Sequence, residues 1–430
     1  MFPRLIPPAA RCGRWLLVVA TAALMVDSTR AENWPGFRGP TGMGHTTERG
    51  LPLTWGGPEN ENVLWKAPLP GQEKEAQFDH NQSSPIVWED RVFVTTASWP
   101  KGTDRGEFPE QHVTCYRLSN GEQLWDARVP PGPWKLSDLR GGYGAPTPCT
   151  DGSRVYVLFG TSVLAALDFE GGLVWSREVP EWKNFDVAIA SSPVLHNGRL
   201  YLLADRNGGK SSLTAFEPAT GEPLWERERS TAFSHTTPVF IEHSGKPQML
   251  IGGAGDLAAL DPASGERLWW CSSPGDVTSP VYGAGLVYSD SGRGGPGVCV
   301  DPSGTGDVRE SHVKWRISNL PEGLSSPLVV GETLYRSHNP GVVKCLNMKT
   351  GDEHFRERLE GVSVAASPIA VPEGRIYFAS AGKSYVLAAG EKFEVLAVND
   401  LGEPHHASPA VSGSRLLLKG SRHLFCIGTK

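Results

Sequence analysis

The strongest constraint on this chain is that it repeats itself. "AFEPATGEPLW" at residues 215–225 returns as "ALDPASGERLW" at residues 259–269. A second element recurs beside it, a small triplet ending in proline. It is "SSP" at residues 83–85, 191–193 and 325–327, with variants ending at Pro148, Pro238, Pro280, Pro368 and Pro409. Each of the eight prolines opens the same series: a short apolar run, a tight turn and a β-rich run such as "RVFV", "RLYL" or "RIYF". A Gly-containing loop, a second apolar strand, another turn and an "LW" strand follow. Asn197 with Gly198, and Asp151 with Gly152, are two-residue hairpin signals. Four strands and three hairpins every 40–50 residues mark a β-propeller.

The fold expected is therefore all-β: an eight-bladed β-propeller of four-stranded antiparallel blades. The last unit lacks its "LW" strand. "ENVLWKAPL" at residues 61–69 matches it, so the N-terminal segment is expected to pair with the last blade and close the ring. Closure removes the unpaired edges that invite aggregation.

The 430-residue chain carries 50 Gly, 35 Pro and 14 Trp, a turn-rich composition suited to many short strands. A net charge of −6 offers no basic footprint, so a nucleic-acid partner is excluded. Residues 1–31 have a signal-peptide pattern: Arg4, Arg11 and Arg14, then the apolar run "WLLVVATAALMV", then small residues before Glu32. Residues 32–60 form a lead-in and residues 61–430 the propeller. No second apolar run approaches a membrane span. The expectation is a monomeric protein, periplasmic or secreted.

In "DPASG" the acid opens a turn, Pro presets φ and Gly accepts a left-handed conformation. The Trp four residues later sits on the outermost strand, where it can cover the neighbouring blade's turn and bury on the order of 150–250 Å². These residues resemble the tryptophan-docking motif of the PQQ-like (quinoprotein-type) β-propeller repeat proteins. Weaker copies lie at residues 115–125, 166–175 and 345–355, and blade 7 has lost the pattern. The resemblance implies two kinds of protein. Its enzymes oxidise alcohols or sugars with pyrroloquinoline quinone (PQQ) and a metal such as Ca²⁺ on the axis, under a cap often made by adjacent cysteines. Its non-enzymes, the outer-membrane assembly lipoprotein among them, bind proteins or peptides along edges and loops. No adjacent Cys pair exists here. Cys115, Cys299, Cys345 and Cys426 share one repeat position with Ala166, Ala215 and Ala259, which fits buried free thiols in separate blades.

Residues just upstream of the proline triplets are expected to meet at one mouth of the channel: His80, Asn81, Tyr143, Asp186, His235, Asp276, His405 and His406. Polar residues there bind a ligand or merely solvate the mouth. Blade 1 carries the largest insertions, and their Trp99 and Phe108 suit a protein or glycan partner. The function expected is non-catalytic: an exported scaffold engaging a protein or peptide in the cell envelope, with no cofactor, no catalytic residue and no metal. The alternatives are a PQQ-dependent alcohol or sugar oxidoreductase and a carbohydrate-binding module using Trp99 or Tyr143.

Overall fold

The computed structural model describes residues 1, 3, 31–71, 77–136, 141–179, 190–205, 211–230, 234–253, 255–273, 275–360, 366–380 and 382–429. The expected signal peptide lies outside them apart from Met1, Pro3 and Ala31. Among the described residues there is no helix. Strands form eight antiparallel sheets arranged as an eight-bladed β-propeller. Blade 1 gains a two-residue strand, Gln77–Phe78, and blade 4 gains Gly306–Asp307. Blade 8 takes Ala410–Ser412, Arg415–Lys419 and His423–Ile427 from the C-terminal end; its fourth strand is Val63–Pro68, antiparallel to His423–Ile427.

Turn chemistry explains the hairpins. Asn197 (φ 46°) and Gly198 (φ 72°) are both left-handed, and His196 pairs with Arg199 across them, as a two-residue turn requires. The pair Asp151 and Gly152 behaves differently. Thr150 pairs with Val155, so the connection has four residues. The Asp151 carboxylate accepts the N–H groups of Ser153 and Arg154, each at 2.8 Å, and that local turn replaces the two-residue one.

The core is layered between blades. One apolar layer joins blades 1 and 2, another blades 2 and 3, and so on round the ring. Blades 7, 8 and 1 share a single larger layer, which also takes in Trp34, Leu51 and Trp55 of the lead-in. Residues 34–46 continue across one end of the axis. Trp34 exchanges backbone hydrogen bonds with Val87 in blade 1, and Thr150 N–H in blade 2 donates to Pro35 O (2.9 Å). Arg38, fully buried, donates to Pro327 O in blade 6 (2.6 Å), and Ala370 N–H in blade 7 donates to Gly44 O (2.8 Å).

The outer rim is pinned by tryptophans. The indole N–H of Trp65 donates to Leu118 O in the next blade (2.9 Å), Trp125 to Phe169 O (2.7 Å), Trp175 to Pro218 O (2.9 Å) and Trp315 to Met348 O (3.0 Å). Trp269 reaches its neighbour through Gln248, whose amide donates to Pro302 O. Trp225 finds no acceptor; the carbonyl it would use, Pro262 O, accepts the Tyr201 hydroxyl instead. Opposite each docking ring lies a small residue: Cys115 faces Trp125, Ala215 faces Trp225 and Cys299 faces Trp315. That close pairing accounts for the Cys/Ala position. All six described cysteines are free and buried.

Gly221 shows why the motif ends in glycine. Its φ is +72°, and a Cβ there would lie 2.8 Å from the Trp175 ring. Gly198 has the same φ with nothing within 4 Å. Gly198→Ala is expected to lose only the backbone preference, roughly 1 kcal/mol, and Gly221→Ala a further 1–3 kcal/mol for displacing the indole. Urea denaturation of the pair measures the difference; equal losses would mean the indole does not dock there.

Candidate functional site

The proline triplets build the inner circumference. The residue before each proline is Ser or Thr, and in blades 2 to 8 its side-chain oxygen accepts a backbone N–H from the preceding blade. Ser84 N–H donates to Thr147 Oγ1 (2.9 Å), Thr147 to Ser192 Oγ (3.0 Å), Ser192 to Thr237 Oγ1 (3.0 Å) and Thr237 to Ser279 Oγ (3.0 Å). Ser279 donates to Ser326 Oγ (3.1 Å), Ser326 to Ser367 Oγ (2.9 Å) and Ser367 to Ser408 Oγ (2.9 Å). Each link satisfies a buried backbone donor that the following proline cannot share. Seven links run from blade 1 to blade 8. At the remaining junction, between blades 8 and 1, Ser84 Oγ has no partner.

A different device occupies that junction. Lys419, on the second strand of blade 8, is 1% exposed and reaches into blade 1. Its ammonium donates to Ser83 Oγ (2.7 Å) and Thr95 O (3.1 Å). Burial pulls its pKa down to about 7, with Asp79 acting the other way. Asp79 is itself buried, which raises its pKa against the N–H groups of His80, Tyr143 and Gly144 that bind its carboxylate.

Above this belt lies a cavity of about 260 Å³, lined by residues of all eight blades and hence axial. Seven belt hydroxyls line it, Phe37 of the lead-in contributes an aromatic surface, and Arg293 and Glu322 enter from the long outer hairpin of blade 5. The approach to the belt is extended chain, so side chains alternate. Residues two before the hydroxyl face the cavity: Gln82, Ala145, Ala190, His235, Val277, Leu324 and His406.

This alternation sorts the expected mouth residues. His235 and His406 reach the cavity. His80 is exposed beside it, its ring 6.4 Å from that of His406 and nearly perpendicular. Asn81, three before its hydroxyl, turns inward instead: its amide accepts Ala97 N–H (2.7 Å) and donates to Ala97 O (3.2 Å). His405 has the same register and is buried edge-on against Phe425, with its pKa lowered by burial. Asp276, also three before, binds Arg293 (2.8 Å); burial raises its pKa to about 6 despite that partner. Tyr143 and Trp99 are buried against each other, 5.9 Å between rings, and their polar atoms bond to Leu136 N–H and Glu107 O. Neither offers a face to a glycan or peptide. Phe108 is half-buried beneath Lys135. Asp186 lies outside the described residues. Sequence reasoning missed Phe37, Arg293, Glu322 and the belt itself. The belt's signal lies in the triplets themselves, where the Ser or Thr before each proline offers a hydroxyl to the neighbouring blade.

A quinone with its metal would need an oxygen-rich cage with carboxylate ligands. Among the described residues the cavity lining supplies one carboxylate, Glu322, and Asp276 is engaged by Arg293. Among the described residues, no group of three His, Cys, Asp or Glu is placed to hold a metal. These residues do not fit the quinone–metal pair.

The repeat and the eight blades define an eight-bladed β-propeller, and its docking tryptophans resemble those of the PQQ-like repeat proteins. The sequence profile of the family described as outer membrane protein assembly factor BamB matches residues 109–279. No curated protein sequence matches the chain significantly. Among solved structures it is similar to BamB from Moraxella catarrhalis, with 13% identity over 82% of this chain and 98% of that one and a TM-score of 0.57. A europium-containing methanol dehydrogenase gives 10% identity, 90% and 89% coverage and a TM-score of 0.68. A quinohemoprotein alcohol dehydrogenase from Pseudomonas putida HK5 gives 10% identity, 93% and 80% coverage and a TM-score of 0.60. At such identities the likeness is one of fold. No helix among the described residues is long and apolar enough to cross a membrane.

Proposed function

We propose that this protein is an exported, non-catalytic scaffold that binds a protein or peptide partner in the cell envelope. The observation that carries the proposal is on the outer rim. Leu173 and Val174 on the outermost strand of blade 2, and Leu224 on that of blade 3, are 46%, 44% and 47% exposed. Blade 6 presents the charged strand "EHFRER" in the same place, a composition that discourages strand addition. Strand addition is compatible with these edges, because the chain performs it on itself. Gly306–Asp307 pairs in parallel with the outermost strand of blade 4, Trp269 with Gly306 and Trp270 with Asp307. An extended peptide with apolar residues would be bound at blades 2 and 3 by main-chain hydrogen bonds and by contact with Leu173, Val174 and Leu224. The mismatch between the axial cavity and a quinone–metal pair weighs against the oxidoreductase reading, and the burial of Trp99 and Tyr143 against a carbohydrate module built on them.

A photo-crosslinkable residue at position 174 or 224 tests this. One discrete adduct is expected in the native envelope, lost when Leu173 is replaced by Lys, and none from the same residue placed at position 357 of blade 6. Equal labelling from all three positions, or quinone-dependent dye reduction by the purified protein, would overturn the reading.

A further inference from the structure

The belt hydroxyls have a second consequence, independent of any partner on the rim. A hydroxyl has one hydrogen to donate and two lone pairs to offer. In Thr147, Thr237, Ser326 and the four others that line the cavity, a lone pair is taken by the backbone N–H of the neighbouring blade. None of the seven donates its own hydrogen to a protein acceptor among the described residues. Each O–H is thus left over, and the accepted N–H blocks the direction along the circumference. The residues that carry these hydroxyls line the axial cavity, where an acceptor can take them.

Seven O–H donors therefore converge on one small volume. The other groups around it add to the imbalance. The Arg293 guanidinium stands at the cavity, and the imidazoles of His235 and His406 each bring at least one N–H or an acceptor nitrogen according to tautomer. Against these the described residues of the lining set one carboxylate, Glu322, and Asp276 beside it pairs with Arg293. A polyol such as a sugar would bring hydroxyl donors of its own and leave many of the belt donors unmatched, and a metal cation would face the wrong end of every O–H dipole. A carboxylate or phosphate group only accepts, with several lone pairs spread over its oxygens, and charge-assisted bonds to it are the stronger kind. About 260 Å³ is room for such a group with its immediate surroundings, since a water takes about 30 Å³.

We propose that the axial cavity is a binding site for a compact oxyanion, a carboxylate or phosphate group, held by the belt hydroxyls from below and by Arg293 at the rim. The site is a property of the proline triplets. Blades 2 to 8 each contribute one such donor from the Ser or Thr before the proline; Ser84 of blade 1 does not line the cavity.

Isothermal titration of the full chain with inorganic phosphate and with citrate, and with glucose as a neutral control, tests the assignment. One anion per chain is expected, with phosphate and citrate competing and glucose giving no heat. Thr237→Val keeps the side-chain shape and removes one donor and one belt link; Arg293→Gln lies outside the belt and leaves its links intact. Each is expected to weaken anion binding at least tenfold. Should the Thr237 variant fail to fold, Arg293→Gln alone decides. Glucose binding without anion binding would assign the cavity to a neutral polyol and overturn the proposal. So would the absence of heat from either anion, or anion binding that Arg293→Gln leaves unchanged.

Discussion

Deleting residues 61–69 is expected to unfold the whole propeller at temperatures where the intact chain is native. The loss reaches beyond one strand. Val63–Pro68 is the outermost strand of blade 8, paired over its length with His423–Ile427. Trp65, Ala67 and Leu69 belong to the apolar layer that holds blades 7, 8 and 1 together. The indole of Trp65 also donates to Leu118 O in blade 1 and covers its turn. At the same junction the hydroxyl belt has no link at Ser84. Blade 8 would be left with a bare edge, a template for pairing with other chains. Calorimetry should show a large drop in Tm and size-exclusion chromatography a shift to oligomers. A truncated chain that keeps its Tm and elutes as a monomer would refute the role given to this strand.

The second large effect concerns Lys419 and pH. Its folded pKa is about 7, against an unfolded value near 10.4. Between these values the unfolded chain holds a proton that the folded chain has given up. Stability is therefore expected to rise with pH across that window, by at most about 1.4 kcal/mol per pH unit from this group, and to be independent of it below about pH 6. The buried thiols act in the opposite direction. Burial raises Cys115, Cys271, Cys299, Cys345 and Cys426 to about 12, so above about pH 8.5 the unfolded chain loses thiol protons that the folded chain keeps. Comparison with Lys419→Met cancels the thiols, which both chains share. The variant is expected to gain on the parent below pH 7, where the parent buries an ammonium, and to lose that gain progressively toward pH 10. Urea unfolding at pH 6, 8 and 10 measures it. A difference that does not change with pH would mean Lys419 stays charged throughout.

The fold was legible because its determinants are local. Acid, Pro and Gly in "DPASG" specify a turn by backbone preference alone, and the Trp four places on specifies what must lie over it. These statements need no knowledge of the neighbouring blade. The axial site was legible only by half. Position relative to each proline placed the right stretches of chain near the axis, yet neighbours in an extended chain face opposite ways. His406 and His405 differ by one residue and by orientation: one lines the cavity, the other packs on Phe425. Counting two back from the Ser or Thr before each proline would have selected Gln82, His235 and His406 and set aside Asn81, Asp276 and His405. Phe37 and Arg293 had no such rule. One comes from the lead-in and the other from an elongated hairpin, and both arrive by tertiary packing. Trp99 misled for a related reason: an insertion large enough to carry a Trp can also build a small core to bury it, here with Ala97, Leu136 and Tyr143.

The belt also sets where the ring can stretch. Seven junctions are tethered on the inside by an arm one Cβ–Oγ bond long, which tolerates little splaying. The eighth has a lysine in that place, an arm of four methylenes that can follow a moving neighbour over several ångströms before it lets go. Under tension, or in the first stage of denaturation, the molecule should gape at that joint while the other seven hold, hinging open like a bracelet at its clasp.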